Sequence, residues 1–302
     1  MVNEVIDILD PKDKQIFVDA TFGQGGYTKK ILDHSYDSKV IAIDRDEKAK
    51  VFAKEFEITY KKRFFFLNER FSFIKHISEI TKRKIDGIVF DLGLCNTQLH
   101  SPSRGFSFNI DGPLDMRMGK QHDNSITAEK IVNNYSEREL SNIFYEFGEE
   151  KKSFKIAKAI VKKRKSKRIK TTLELSKIIN ELGFGYKYRL NDSTRTFQAL
   201  RIFINNELGE LKETLEYIPK ILKKNGKVIV IAFHSLEDKI VKNFFKENSG
   251  IVYNNYRNLP PNKKNKKKIF SILTKKPMKP KIEEIKNNPQ SRSAKLRAAI
   301  KI

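Results

Sequence analysis

Two apolar runs limit most strongly what this chain can fold into. Residues 86–92 (Asp-Gly-Ile-Val-Phe-Asp-Leu) and 226–233 (Gly-Lys-Val-Ile-Val-Ile-Ala-Phe) are continuously apolar at their centres rather than alternating, the pattern of strands buried on both faces of a parallel sheet. Parallel neighbours need a crossover of only about a dozen residues. More than a hundred residues separate these two runs, so the sheet is split in sequence and an inserted domain is the economical reading. Upstream, residues 15–20, 39–44 and 63–67 are each followed by a helix-period segment and read as β-α units of the same sheet. Residues 269–274 and 293–300 can complete it.

The insert opens with a loop-like stretch rich in Gly, Pro, Ser and Asn over 100–124. Helices follow, with Ser136/Glu139 and Thr171/Glu174 at capping-box spacing and Gly183 suited to a helix C-terminus. Residues 194–223 carry Phe197, Leu200, Ile204, Leu208, Leu211 and Leu215 at helical spacing and are assigned to the sheet domain as the crossover into its fifth strand. The expected division is 1–103 with 192–302 for the sheet domain and 104–191 for the helical insert. A length of 302 residues agrees with two domains of about 150 each, and no internal repeat is visible.

Charge narrows the partner. There are 61 Lys and Arg against 37 Asp and Glu, a net +24, which suits a polyanion, although Lys is abundant throughout and part of the excess is compositional. Residues 151–170 hold eleven basic residues and no acid, and residues 262–281 hold nine Lys and no acid. Each run alone is equally well a solvated face; two of them, interleaved with Phe154 and Phe270, favour phosphate contact. The single cysteine, Cys95, excludes an internal disulfide and a thiolate zinc cage and points to a reducing compartment. No apolar run approaches the ~20 residues that span a bilayer, and residues 1–13 have neither a basic start nor a long apolar core. The expectation is a soluble, cytoplasmic protein.

The segment Val18-Asp19-Ala20-Thr21-Phe22-Gly23-Gln24-Gly25-Gly26-Tyr27 leaves a strand and enters a helix. Glycine there lets backbone approach a ligand, and the helix start offers unpaired N–H groups. A dinucleotide fingerprint would need glycine where Thr28 stands, and Asp19 would face a pyrophosphate unfavourably. A phosphate-free, cationic ligand such as S-adenosylmethionine suits the loop better. Asp44, ending the second strand, can accept from both ribose hydroxyls, with a plain strand-end acid as the alternative. Phe71 either lies against an adenine or belongs to the core. Asp91 closes the fourth strand, beside the crevice where such sheets bind ligands, and a methyl acceptor is expected there. Residues 104–118 read as a substrate loop or lid.

Together, Thr21-Phe22-Gly23-x-Gly25-Gly26, Ala42-Ile43-Asp44-Arg45-Asp46, Asp91-Leu92-Gly93, Gly105-Phe106-Ser107-Phe108 with residues 111–118, Thr194-Arg195-Thr196-Phe197-Gln198-Ala199 and Phe233-His234-Ser235-Leu236-Glu237-Asp238 resemble the bacterial 16S rRNA (cytosine-N4)-methyltransferases of the RsmH, or MraW, family over nearly the whole chain. The resemblance implies an α/β fold, a Rossmann-like class I S-adenosylmethionine-dependent methyltransferase domain with an inserted helical substrate-recognition domain. It implies methylation of N4 of a cytosine in the decoding centre of 16S rRNA within the small ribosomal subunit, with no metal. Carried over residue by residue, it implies cofactor contacts at Gly25, Gly26, Tyr27, Asp44, Phe71, Asp91 and Gln98. Asp91 is the candidate catalytic acceptor, and Asn96, Arg195 and His234 are candidates at the substrate end.

This chain departs from the family pattern in places. Leu94-Cys95-Asn96 replaces the usual Val-Ser-Ser, Tyr27 replaces the usual His, and the customary His-x-Pro-Val-Leu opening is missing ahead of Glu4-Val5, as in a clipped or misassigned start. Cys95 opens a rival, methylation at ring carbon C5 through a thiolate, against which stands the lack of a flanking Pro. A non-catalytic rRNA-binding assembly factor is the alternative from another class. DNA cytosine methylation is disfavoured, since Leu92-Gly93 stands where a Pro-Pro-aromatic signature is expected. His234 is equally a turn-orienting residue, Ser235 with Asp238 can cap the helix that follows, and Arg195 and Arg201 are equally helix-surface ion pairs.

Overall fold

The computed structural model describes residues 1–119, 126–184, 191–250 and 268–302. The chain forms two compact units, Met1–Gly93 with Leu208–Ile302, and Leu94–Glu207.

The first unit is built on a seven-stranded sheet of order β3-β2-β1-β4-β5-β7-β6. Its strands are β1 (Ile16–Asp19), β2 (Lys39–Ile43), β3 (Phe64–Leu67), β4 (Ile85–Asp91), β5 (Leu222–Ala232), β6 (Phe270–Ile272) and β7 (Lys295–Lys301). The first five run parallel, and β7 is antiparallel to both β5 and β6. Both apolar runs sit at the sheet centre, with Ile88 opposite Val228 and Phe90 opposite Val230; Ile88, Val89, Phe90 and Val228 to Val230 are all fully buried. Both faces are covered. Helices α1 (Val2–Leu9), α2 (Gly26–His34), α3 (Ala49–Tyr60), α4 (Ile77–Thr81), α11 (Glu207–Ile221), α12 (Ser235–Asn248) and α13 (Ile282–Asn287) belong to this part of the chain. One apolar cluster joins Ile74 and Ile77 to Leu211, Leu215 and Ile218, and another joins Val5 and Leu9 to Ile31, Ala53 and Leu296. The doubly wound α/β arrangement is a Rossmann-like sheet whose order reverses between β1 and β4.

The second unit is helical: α5 (Asn96–Leu99), α6 (Ala128–Asn134), α7 (Glu137–Gly148), α8 (Ser153–Arg164), α9 (Thr172–Asn180) and α10 (Thr194–Asn205). Its own core gathers Leu140, Ile143, Phe144, Ile156, Ile160, Leu175 and Ile179. Capping boxes form at Ser136/Glu139 and Thr171/Glu174 as their spacing predicts.

The division falls elsewhere than 103/104 and 191/192. The segment 194–223, expected as one crossover on the sheet, is two helices parted at Asn206, whose φ of 49° is left-handed. Asn tolerates that conformation and ends α10 there. Phe197, Ala199 and Leu200 of α10 pack in the second unit's core, whereas Leu211, Leu215 and Ile218 of α11 pack under the sheet. The turn 92–103 likewise begins the second unit at Leu94. Residues 262–267 of the second basic run lie outside the described residues.

Candidate active site

At the carboxyl ends of β1, β2 and β4 stand three acids, Asp19, Asp44 and Asp91. Backbone geometry locks them to the glycine bend. Ala20 N–H donates to Val89 O (2.9 Å), Phe22 N–H to Ile43 O (2.9 Å) and Asp91 N–H to Thr21 Oγ1 (2.7 Å), so the loop after β1 is pinned to both neighbouring strands. Gly25 N–H donates to Phe22 O at 2.7 Å and closes the bend. Gly25 caps α2 with φ 81°, and a Cβ there would stand 2.4 Å from Phe56 Cζ and 2.7 Å from Phe22 Cε2, so both conformation and space require glycine. Gly26 is different: a Cβ there would meet nothing within 4 Å. One glycine makes the bend, and the next leaves open the space before the helix start.

The acids differ in what already satisfies them. Asp19 is fully buried and accepts from Thr28 Oγ1 at 2.7 Å. Thr28, the residue that breaks the dinucleotide fingerprint, is therefore a buried donor to the β1 acid. Asp44 accepts from Gly23 N–H (2.7 Å) through Oδ2 and from Asp46 N–H (2.8 Å) through Oδ1, which fixes the carboxylate while leaving lone pairs on both oxygens. Asp91 Oδ1 is shielded from solvent and has no hydrogen-bond partner among the described residues. Burial pushes the Asp19 and Asp44 carboxyls up to about 6. It pushes Asp91 up to about 7, with the charges of Asp19 and Glu237 adding to the effect and the Tyr27 hydroxyl opposing it. Burial and the Asp91 charge in turn hold the Tyr27 phenol well above its ordinary value. Three carboxylates that are costly to ionise on their own favour a ligand carrying positive charge and no phosphate.

Phe71 opens the 3₁₀ turn that follows β3 and packs edge-on against Phe90, with centroids 5.8 Å apart; it is only partly buried. Beneath it, Glu210 of α11 accepts from Ser72 N–H at 3.1 Å and pairs with Arg45 at 3.4 Å, with Glu210 and Arg45 only 3% and 9% exposed. This one side chain braces the turn after β3 and the turn after β2, next to Phe71 and Asp44. Sequence reasoning missed it; an acid on the apolar flank of α11, one position before Leu211, is the signal that could have found it.

His234 caps α12. Its Nδ1 accepts from Glu237 N–H at 3.4 Å, Nε2 lies 3.0 Å from Glu237 Oε1, and Glu237 Oε2 accepts from Phe233 N–H at 2.8 Å. The cap is thus His234 with Glu237, one residue earlier than Ser235 with Asp238. Asp238 instead pairs with Arg297 (2.6 Å) and Lys295 (3.4 Å) of β7. In the second unit, Gln98 Oε1 accepts from Cys95 N–H at 3.1 Å in a capping box on α5, where Asn96 is the first helical residue, and Cys95 Sγ stands 3.0 Å from Thr97 Oγ1. Arg195 lies in the first turn of α10, and Arg201 forms a two-pronged pair with Glu207 at 2.8 and 2.9 Å, the ion pair its position allows.

The sequence profile of the MraW methylase family matches residues 1–302. The chain belongs to the MraW methylase family. Among similar proteins is a ribosomal RNA small subunit methyltransferase H of Wolbachia sp. subsp. Drosophila simulans (strain wRi), 47% identical over 301 residues that cover 99% of this chain and 96% of that one. The protein of the same name from Ehrlichia canis (strain Jake) is 45% identical over 304 residues, covering 100% of this chain and 98% of its own. That from Rickettsia akari (strain Hartford) is 44% identical over 309 residues, covering 100% and 97%. For this MraW methylase the cofactor is S-adenosylmethionine, and the first unit fits it: an open approach at Gly26, an acid at the end of β2, and an unpartnered acceptor on Asp91.

Proposed function

We propose that the chain transfers a methyl group to N4 of a cytosine in the decoding centre of 16S rRNA, in the cytoplasm and within the small ribosomal subunit. Methylation of small-subunit ribosomal RNA is the activity its relatives are named for. The observation that carries the finer reading is Asp91 Oδ1, a buried acceptor without a partner at the end of β4.

Bound S-adenosylmethionine would supply an electrophilic methyl carbon, held by Gly25, Gly26, Tyr27, Asp44 and Phe71; Gln98 stays a candidate contact on the family resemblance alone. Cytosine N4 is a weak nucleophile because its lone pair is delocalised into the ring, so orientation has to supply much of the acceleration. Asp91 Oδ1, when ionised, accepts an N4 hydrogen and turns the lone pair toward the methyl. Transfer would break the methyl's bond to sulfur, leaving a neutral thioether, as the N–C bond formed; N4 would then be strongly acidic, and its proton would leave to Asp91 or to water without a strong base. Burial pushes the Asp91 carboxyl up to about 7, and a bound cationic donor would favour its ionised form. The target base has to leave any stack to reach it. Asn96, Arg195 and His234 stand as candidates at the RNA end, with His234 acting through the α12 cap.

Mass mapping of methylated nucleosides in small-subunit RNA from cells with and without the protein tests both atom and target. Loss of one N4-methylcytidine supports the assignment; loss of a C5-methylcytidine, or no change, refutes it. In vitro, Asp91→Asn should lower turnover by about 10²-fold, with a smaller loss of cofactor affinity.

A further inference from the structure

Helix α8 carries an exposed charge that nothing described in its own unit answers. Lys155, Lys158 and Lys162 lie within it and Lys165 is its C-cap, still in helical conformation at φ −64°, ψ −31°. At about 100° per residue these four fall in one sector of roughly 80°. Ile156, Ala157 and Ile160 lie on the opposite side, fully buried. The stripe runs for roughly 15 Å at about 1.5 Å per residue, and Phe154, 59% exposed, borders it.

Three neighbouring basic residues are committed elsewhere, whereas Lys151 and Lys152 precede the helix and Lys163 lies off the stripe. Arg164 Nη1 donates to Val132 O at 2.7 Å, Lys167 pairs with Glu174 at 2.7 Å, and Arg168 pairs with Glu129 at 2.9 Å. Among the described residues, the four stripe lysines enter no ion pair. Like charges three and four positions apart repel, and Lys155 in the first turn also opposes the helix dipole. Solubility alone is served better by interspersed charges of both signs. An aligned row of cations is relieved by a polyanion of regular charge spacing, and release of that polymer's counterions supplies affinity. A lipid surface does not fit, because a helix lying in a membrane interface turns its apolar face to the lipid and that of α8 is spent on its own core.

We propose that this face of α8 grips the phosphate backbone of the RNA substrate, without reading its sequence, while Phe154 offers a platform to an unstacked base. The inference rests on the ribosomal RNA reading above and adds to it where the chain holds its substrate.

The test compares three proteins in binding a small-subunit RNA fragment between 50 and 200 mM salt: wild type, a variant with Lys155, Lys158, Lys162 and Lys165 all changed to Gln, and a charge-matched control with Lys30, Lys50, Lys54 and Lys62 of the first unit changed to Gln. Gln keeps helix propensity, and thermal melts with cofactor titrations check that the fold and the methyl-donor site are intact. The stripe variant should flatten the salt dependence by a slope of about 3, so that the affinity lost across this salt range is about 50-fold smaller than in wild type; the control should keep the wild-type slope. An unchanged slope in the stripe variant, an equal flattening in the control, or a stripe variant that loses only its binding to anionic-lipid vesicles overturns the proposal. If wild type binds no small-subunit RNA but binds the cofactor, the substrate reading itself falls and this inference with it.

Discussion

Gly25 and Gly26 are adjacent and chemically identical, yet alanine should act on them in opposite ways. At Gly25 the new methyl meets Phe56 and Phe22 at 2.4 and 2.7 Å while the backbone is held at φ 81°. The left-handed conformation costs alanine about 1–2 kcal/mol and overpacking about 1–3, so Gly25→Ala should lose roughly 2–5 kcal/mol of stability whether or not cofactor is present. At Gly26 the backbone is helical and the methyl enters open space, so Gly26→Ala should gain about 0.4–1 kcal/mol through a less flexible unfolded chain. The same methyl occupies the approach to the helix start, and cofactor affinity should fall at least about tenfold, a loss of roughly 1.4 kcal/mol. Chemical denaturation of the unliganded variants reads the first effect, and calorimetric titration with S-adenosylmethionine reads the second. A Gly26→Ala protein that binds with wild-type affinity would refute the reading of that space as the ligand's, and a Gly25→Ala protein of wild-type stability would refute the packing argument.

Asp19, Asp44 and Asp91 have folded-state values of about 6, 6 and 7, above the ~3.9 of an unfolded aspartate. The stability they contribute is therefore complete below about pH 4 and is lost as pH rises through 6 to 7. A cationic ligand favours the ionised forms, so its binding should tighten between pH 5.5 and 7.5 and release protons, read as a buffer-dependent calorimetric enthalpy; an affinity flat across that range would count against the cluster. Glu210→Ala breaks a buried pair and should cost about 3 kcal/mol, with cofactor KM rising more than kcat falls; a stability loss with unchanged KM would show that the brace on Asp44 and Phe71 does not reach the site. Cys95→Ser should keep most turnover, because Cys95 acts as a helix cap; abolished turnover with cofactor binding preserved would move the reaction to C5.

Continuous apolar runs announced β4 and β5 because strands buried on both faces leave no room for polar residues, and the glycine bend was legible because few other sequences turn that sharply at a strand end. What escaped was local competition. The 194–223 pattern reads as one helix because periodicity cannot say which core a face meets; Asn206 parts it into α10 and α11, with separate cores. The α12 cap moved to His234 because its imidazole Nδ1 accepts from Glu237 N–H, while Asp238 N–H, the donor expected for a serine cap, goes to His234 O in the helix ladder. Phe71 and Asp44 could be placed from strand ends, but the brace on them comes from Glu210, a contact 138 residues away from Ser72 in sequence.

The partner of β4 at the sheet centre is β5, and roughly 130 residues must be made between Asp91 and Leu222. At about 5–20 residues per second a ribosome takes roughly 7 to 26 s over that stretch. Throughout it, the nascent sheet ends in a bare edge whose Ile88, Val89 and Phe90 are destined for complete burial. Such an edge is a template for pairing with other chains. A ribosomal RNA methyltransferase of this build would gain, during its own synthesis, from anything that shields that strand until the second half of the sheet emerges.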